Sequence, residues 1–169
     1  MKILVFSDSH RSLRFMRLCM AAVKPDAVVH LGDLYEDAQA LAQENPHIPF
    51  HMVAGYCDRY NAPMDARELL IYSVCGVRLF MTHGHRQHVK QTTHLLLNDA
   101  RKAGVLAVLF GHTHEALCRQ EEDSLWVLNP GSCGNLNASA GLIEVHENAI
   151  STCRILRQAD IDVFMQEQA

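Results

Sequence analysis

A chain of 169 residues with 49% hydrophobic and 20% charged side chains has the composition of one globular domain, and two domains would be cramped in it. Roughly 70% of the unfolded surface can be buried at this length, so a core forms without metal or disulfide staples, and a bound metal is expected to serve function. Fifteen Lys plus Arg against nineteen Asp plus Glu give a net charge of -4 with no basic run, which excludes general charge-driven binding to nucleic acid or anionic membranes.

Residues 1–7 (MKILVFS) form a continuous apolar run of strand length, and residues 12–23 then place Leu13, Met16, Leu18, Met20 and Val23 at mostly helical spacing before Lys24-Pro25-Asp26 stops them. Residues 27–31 read as a second strand, 37–44 as a short helix and 49–54 as a third strand. This alternation, with strands apolar on both faces, predicts a parallel sheet covered by helices. Residues 68–72 and 77–81 then read as an antiparallel hairpin turning at 73–76, and 89–103 as a helix. Strands are expected at 105–110, 116–119, 125–128, 141–145 and 150–156, with a peripheral helical turn or tail from 157 to 169. No repeat or linker divides the chain, so one domain over residues 1–169 is expected.

The longest apolar stretch, residues 103–111, is far short of the roughly 20 residues of a membrane helix, and residues 1–7 lack the features of a signal peptide. A cytoplasmic protein without membrane partners is therefore expected. Six cysteines (Cys19, Cys57, Cys75, Cys118, Cys133, Cys153) without a CxxC pair read as free thiols. Histidine is the outlier, with eleven copies.

The chemistry collects where strands end. Asp8 and His10 follow the first strand with an i, i+2 spacing that sends both side chains to one side, although Ser-Asp-Ser before a helix also resembles an N-cap. Asp33 follows the second strand, residues 55–58 the third, His83 and His85 the strand ending at Met81, and His112 and His114 the strand ending at Phe110. In open α/β sheets ligands bind beyond the carboxyl ends of strands, so five exits that each deliver Asp or His point to one shared site. Asp8, His10, Asp33, His83, His112 and His114 exceed what one tetrahedral ion needs. Two divalent transition-metal ions fit this mixed N/O set, with manganese first and iron, zinc or nickel as alternatives, and Asp33 is the natural bridge.

The ordered set Asp8-Ser9-His10, Gly32-Asp33, Gly55-Tyr56-Cys57-Asp58, Thr82-His83-Gly84-His85, Gly111-His112-Thr113-His114 and Asn129-Pro130-Gly131-Ser132 resembles the calcineurin-like metallophosphoesterases, especially their small bacterial and archaeal phosphodiesterase branch. The resemblance implies an α/β fold, a four-layer αββα sandwich with mixed sheets. It implies one ion on Asp8, His10, Asp33 and His114, and a second on Asp33, His83 and His112 plus an Asn. Tyr56 occupies that Asn position, and three outcomes follow: the phenol turns away and water fills the place, it ligates as phenolate, or the second ion binds weakly. The first is preferred. Cys57 stands where larger relatives carry the His that protonates the leaving group, and reads equally as a small filler. His85 is either the acid or an orienting partner of a ligand. Asp58, the acid closing its motif, is placed with the catalytic set, and Ser132 is a candidate phosphate contact. His30, His47, His51, His88, His94 and His146 match no landmark.

These residues imply hydrolysis of a small phosphoester substrate, a diester first, by a hydroxide held between two ions. The rivals are a catalytically silent relative acting as a protein-interaction scaffold and a mononuclear metal-binding protein. A homo-oligomer is left open.

Overall fold

Alternation along the first strand, β1 (Lys2–Phe6), generates the layers of the computed structural model, which describes residues 1–167. Leu4 and Phe6 point one way, into a cluster with Met16, Cys19 and Met20 of α1 (Arg14–Val23) and Leu41 of α2 (Tyr35–Glu44). Ile3 and Val5 point the other way, against Leu79, Met81, Leu109 and Leu128. That period of two is what a strand buried on both faces requires.

β1 pairs in parallel with β2 (Ala27–His30), which pairs in parallel with β3 (Phe50–Met52). The hairpin β4 (Leu69–Val74) and β5 (Val77–Thr82) begins a second sheet, joined by β6 (Ala107–Leu109), β7 (Leu117–Gln120) and β8 (Trp126–Asn129). β9 (Ser139–His146) and β10 (Ala149–Arg157) then return antiparallel to the first. The sheet orders are β10-β9-β1-β2-β3 and β4-β5-β6-β8-β7. A third apolar cluster packs Leu96, Leu97 and Ala100 of α3 (His94–Ala103) on Phe80, Val108 and Val127. Three apolar layers thus separate four layers of structure, the expected αββα arrangement with mixed sheets.

Two segments depart from expectation. The helix expected over 89–103 begins only at His94. Residues before it form turns, in which the Gln91 N–H donates to the His88 carbonyl (2.9 Å) and the Thr92 hydroxyl accepts from the His94 N–H (3.3 Å). Thr92 competes with the helix through its hydroxyl, and Val89 is buried from the turn instead of from a helical face. The turn or tail expected after Arg157 is a helix, α4 (Gln158–Gln166), whose Ile161 is buried against α1 and whose Phe164 ring lies 5.4 Å from the Arg154 guanidinium. The last two residues of that expectation lie outside the described residues. No helix among the described residues is long and apolar enough to cross a membrane.

His30, at the end of β2, is 1% exposed, and its Nδ1 accepts the Gly32 N–H at 3.2 Å. Burial pushes its pKa down to about 4. The unfolded chain therefore binds the proton first as pH falls, and stability present above about pH 6.5 is lost down to about pH 4, by about 3 kcal/mol in full. Urea midpoints at pH 7.5 and 5.0 should fall more in the wild type than in His30→Asn, which keeps an acceptor but cannot titrate; equal falls would contradict this.

Candidate metal centre

β1, β2, β5, β6 and β8 direct their carboxyl ends to one rim, because each sheet's central strands are parallel. The loops that follow are tied to one another there, two of the bonds within a sheet and the third between the sheets. The Asp8 N–H donates to the Gly32 carbonyl (2.9 Å), the Gly111 N–H to the His83 carbonyl (3.1 Å), and the Cys133 N–H to the Ser7 carbonyl (3.0 Å). At five of the six expected ligands the backbone sits in the left-handed region: Asp8 (φ 54), His10 (φ 44), Asp33 (φ 52), His112 (φ 68) and His114 (φ 61). Non-glycine residues rarely take that conformation, and each costs strain that the surrounding loop bonds must hold. Gly111 is required by close approach, since a Cβ there would run into the Ser7 hydroxyl and the Asp8 carboxylate.

The six expected ligands fall into two trios, Asp8 with His10 and His114, and Asp33 with His83 and His112. Within each trio the donor atoms lie within 4.8 Å of one another. In the first, His10 Nε2 and His114 Nε2 are 3.3 Å apart and His114 Nε2 is 3.2 Å from Asp8 Oδ1. In the second, His83 Nε2 is 3.2 Å from His112 Nδ1 and 3.5 Å from Asp33 Oδ2. Each trio draws on both sheets, and the trios touch through the His112 N–H, which donates to Asp8 Oδ2 (3.1 Å). Asp33 groups with the second trio, while its Oδ1 accepts the Cys57 N–H (2.7 Å).

These donors fit a cation. Asp8 is fully buried, and its Oδ1 makes no hydrogen bond and faces only the His114 ring nitrogen at 3.2 Å; a buried carboxylate is costly unless a positive charge faces it. His83 Nδ1 lies 2.7 Å from the Leu31 carbonyl, which can only accept; a proton therefore sits on Nδ1, and Nε2, turned toward Asp33, is the nitrogen whose lone pair a metal would take in place of a proton. Burial pushes the Asp8 carboxyl up. Burial also raises Asp33, but hydrogen bonding to His83, its charge and the Cys57 contact outweigh it and hold that carboxyl well below the usual range. Burial and the neighbouring His83 push His112 down to about 4, so its ring is neutral and able to ligate at neutral pH.

The remaining expected site residues are less uniform. Asp58, expected to be catalytic, is 1% exposed and spends its carboxylate on backbone: Oδ2 accepts the N–H groups of Asp33 (3.0 Å) and Gly55 (2.6 Å), and Oδ1 that of Tyr35 (2.7 Å). It acts as a positioning residue for the β2 and β3 exits. Ser132, expected at the phosphate, is likewise buried and donates to the Asp8 carbonyl (2.7 Å). The Cys57 thiol is pushed up to about 11 by burial and by Asp33, so it keeps its proton at neutral pH. His85 borders the second trio, with ring centroids 5.6 Å from His83 and 6.2 Å from His112; its buried Nδ1 has no hydrogen-bond partner. Burial and His83 lower its pKa. Tyr56 is 67% exposed, its ring 6.0 Å from His85 and 6.2 Å from His112.

Two residues support the ligand loops, Asp37, to which the sequence assigns no site role, and Asn129, known from the sequence only as the start of its turn motif. Asp37, in the first turn of α2, accepts from the Ser9 hydroxyl and the Arg11 N–H (both 2.7 Å), bracing the loop that carries His10. The Asn129 amide donates to the Gly111 carbonyl (3.1 Å) and the Thr113 hydroxyl (2.9 Å), bracing the loop that carries His112 and His114. A helix-start acid and an Asn-Pro-Gly turn are the only signals they leave in the sequence.

A two-sheet sandwich with paired Asp/His trios at the rim is the architecture of a metallophosphoesterase. The calcineurin-like phosphoesterase superfamily domain matches residues 1–148, and the chain belongs to that family. A probable metallophosphoesterase of Bacillus subtilis is 28% identical over 134 residues, covering 78% of this chain and 75% of the relative. A phosphodiesterase of Methanocaldococcus jannaschii is 27% identical over 150 residues, covering 79% of this chain and 84% of the relative. Among solved structures, zinc-complexed Vps29 from Entamoeba histolytica superposes with a TM-score of 0.74 at 20% identity, over 93% of this chain and 98% of that one, which establishes likeness of fold.

Proposed function

We propose that this metallophosphoesterase is a phosphodiesterase that works with two divalent transition-metal ions, manganese first, one on each trio, with Asp33 shared between them. The observation that carries the reading is the adjacency of the two trios around the buried Asp8 carboxylate, whose Oδ1 makes no hydrogen bond. Bound ions there would lower the pKa of water toward neutrality and offset the charge that spreads over phosphoryl oxygens.

The chain's own residues do the rest. Asp37, Asp58, Asn129 and Ser132 hold the ligand loops through backbone bonds, so little reorganisation is needed when substrate arrives. The His85 ring, neutral and 5.6 Å from that of His83, is the group beside the second trio that would hydrogen-bond a leaving oxygen; the Cys57 thiol, with its pKa near 11, is a poor acid at pH 7. A diester is favoured over a monoester by the space on either side. A cavity of about 1290 Å³ reaches His114 and another of about 980 Å³ reaches His85, giving each ester arm a place.

The test is a metal screen on chelator-treated protein with bis(p-nitrophenyl) phosphate and p-nitrophenyl phosphate. Added manganese, iron, zinc or nickel should restore hydrolysis, and the diester should be cleaved at least about tenfold faster, a 1.4 kcal/mol preference in the barrier. Full turnover without metal would contradict the reading. No turnover with any metal would favour the second reading, a silent scaffold, which the exposed Tyr56 at a ligand position would suit.

A further inference from the structure

Beside the second trio, residues 56–64 expose three large side chains that a folded chain would ordinarily cover: Tyr56 at 67%, Tyr60 at 87% and Met64 at 107%. All three line the cavity of about 980 Å³, together with Arg59, Arg86 and His85. The Arg59 guanidinium sits 5.6 Å from the centroid of the Tyr60 ring. Exposed apolar residues scattered singly need no explanation, but two aromatic rings and an Arg gathered in one cavity next to a phosphoryl-binding centre do. Their chemistry is that of a stacking platform: flat rings take up a planar base, and a guanidinium adds cation–π attraction and donors for its edge. An acyl arm would instead meet the charges of Arg59, Glu68 and Arg86 in the same walls.

We infer that this cavity receives the nucleobase of a nucleoside phosphodiester, with Tyr56 and Tyr60 as specificity-determining residues, so that Tyr56 serves substrate in a place otherwise suited to a metal ligand. The inference rests on the phosphodiesterase reading and narrows its substrate class. Tyr56 joins the two regions, since its ring stands 6.2 Å from that of the ligand His112 and forms part of the cavity wall. A nucleoside bridges the same gap, with its sugar between the phosphate at the trios and the base on the rings.

Two esters with the same leaving group separate recognition from chemistry: thymidine 5'-(p-nitrophenyl phosphate) and methyl p-nitrophenyl phosphate. The manganese-loaded wild type should prefer the thymidine ester through KM, by roughly tenfold or more in kcat/KM. Tyr60→Ala and Tyr56→Ala should each cut that preference by roughly fivefold or more, and Tyr56→Phe, which keeps the ring and loses the hydroxyl, should retain it. An absent preference in the wild type, or a preference that survives both alanine variants, overturns the inference. Manganese content should be the same in the wild type and Tyr56→Phe; loss of an ion in Tyr56→Phe would make the phenol a ligand and overturn the stacking role. If neither ester is hydrolysed, the phosphodiesterase reading fails by itself. Calorimetric titration then decides the cavity: thymidine 5'-monophosphate binding at least tenfold tighter than ribose 5-phosphate supports it, and equal binding overturns it.

Discussion

Replacing Asp33 by Asn should lower aryl phosphodiester hydrolysis by roughly a thousandfold or more, about 4 kcal/mol of transition-state stabilisation, while leaving the chain folded. The residue is 3% exposed; Oδ1 accepts the Cys57 N–H and Oδ2 faces His83 Nε2 at 3.5 Å. An amide of the same shape keeps the Cys57 bond, so the β2 exit keeps its path. What it removes is the negative charge, and with it the balance for a cation in a buried site. His112→Ala should act at the same centre and cost a similar factor, and the double variant should lose little more, because residues that act as one unit are not additive. The measurement is kcat/KM for bis(p-nitrophenyl) phosphate with saturating manganese, beside a thermal melt of each variant. Activity within tenfold of wild type in Asp33→Asn would contradict the role of this carboxylate.

The second large effect is on stability. Asp58→Ala leaves three inward-facing N–H groups, those of Asp33, Gly55 and Tyr35, without their acceptor. Each such orphan costs about 1–3 kcal/mol, so a loss of about 4 kcal/mol is expected after partial rehydration, a fall in Tm of about 10 °C for a chain of this size. Because two of those N–H groups fix the Asp33 loop, manganese affinity should also fall, by roughly 10–100-fold, as it does when a supporting bond behind a metal ligand is cut. Asp58→Asn, which keeps one acceptor oxygen, should fall between. A melt unchanged within 2 °C in Asp58→Ala, the scale of about 1 kcal/mol, would show that the three bonds carry no weight.

The contrast between Asp33 and Asp58 also shows where sequence reading stops. Strand exits delivering Asp8, His10, Asp33, His83, His112 and His114 were legible because an apolar run followed by Asp or His is a local pattern, and the two-faced apolar strands imposed the layers. The partition into trios was not legible, since it depends on how loops from both sheets fold over the rim. Five ligands in the left-handed region help set that path, and although Asp and His take a positive φ more readily than most side chains, that tolerance does not tell which of them will adopt it. Asp58 and Ser132 were placed with reacting groups because motif order shows that a residue is near the site, whereas its role depends on which way the oxygen points. In both cases it points at backbone. The helix start at His94 is illegible for a simpler reason: the apolar spacing of Val89 matches a helical face, while the Thr92 hydroxyl competes locally with helix.

Anomalous diffraction from crystals grown with manganese tests the pairing of the trios most directly. Two peaks about 3.5–4 Å apart are expected. One should lie at bonding distance from Asp8, His10 and His114, the other at bonding distance from Asp33, His83 and His112. A single peak, or peaks away from these six side chains, would contradict the two-ion centre.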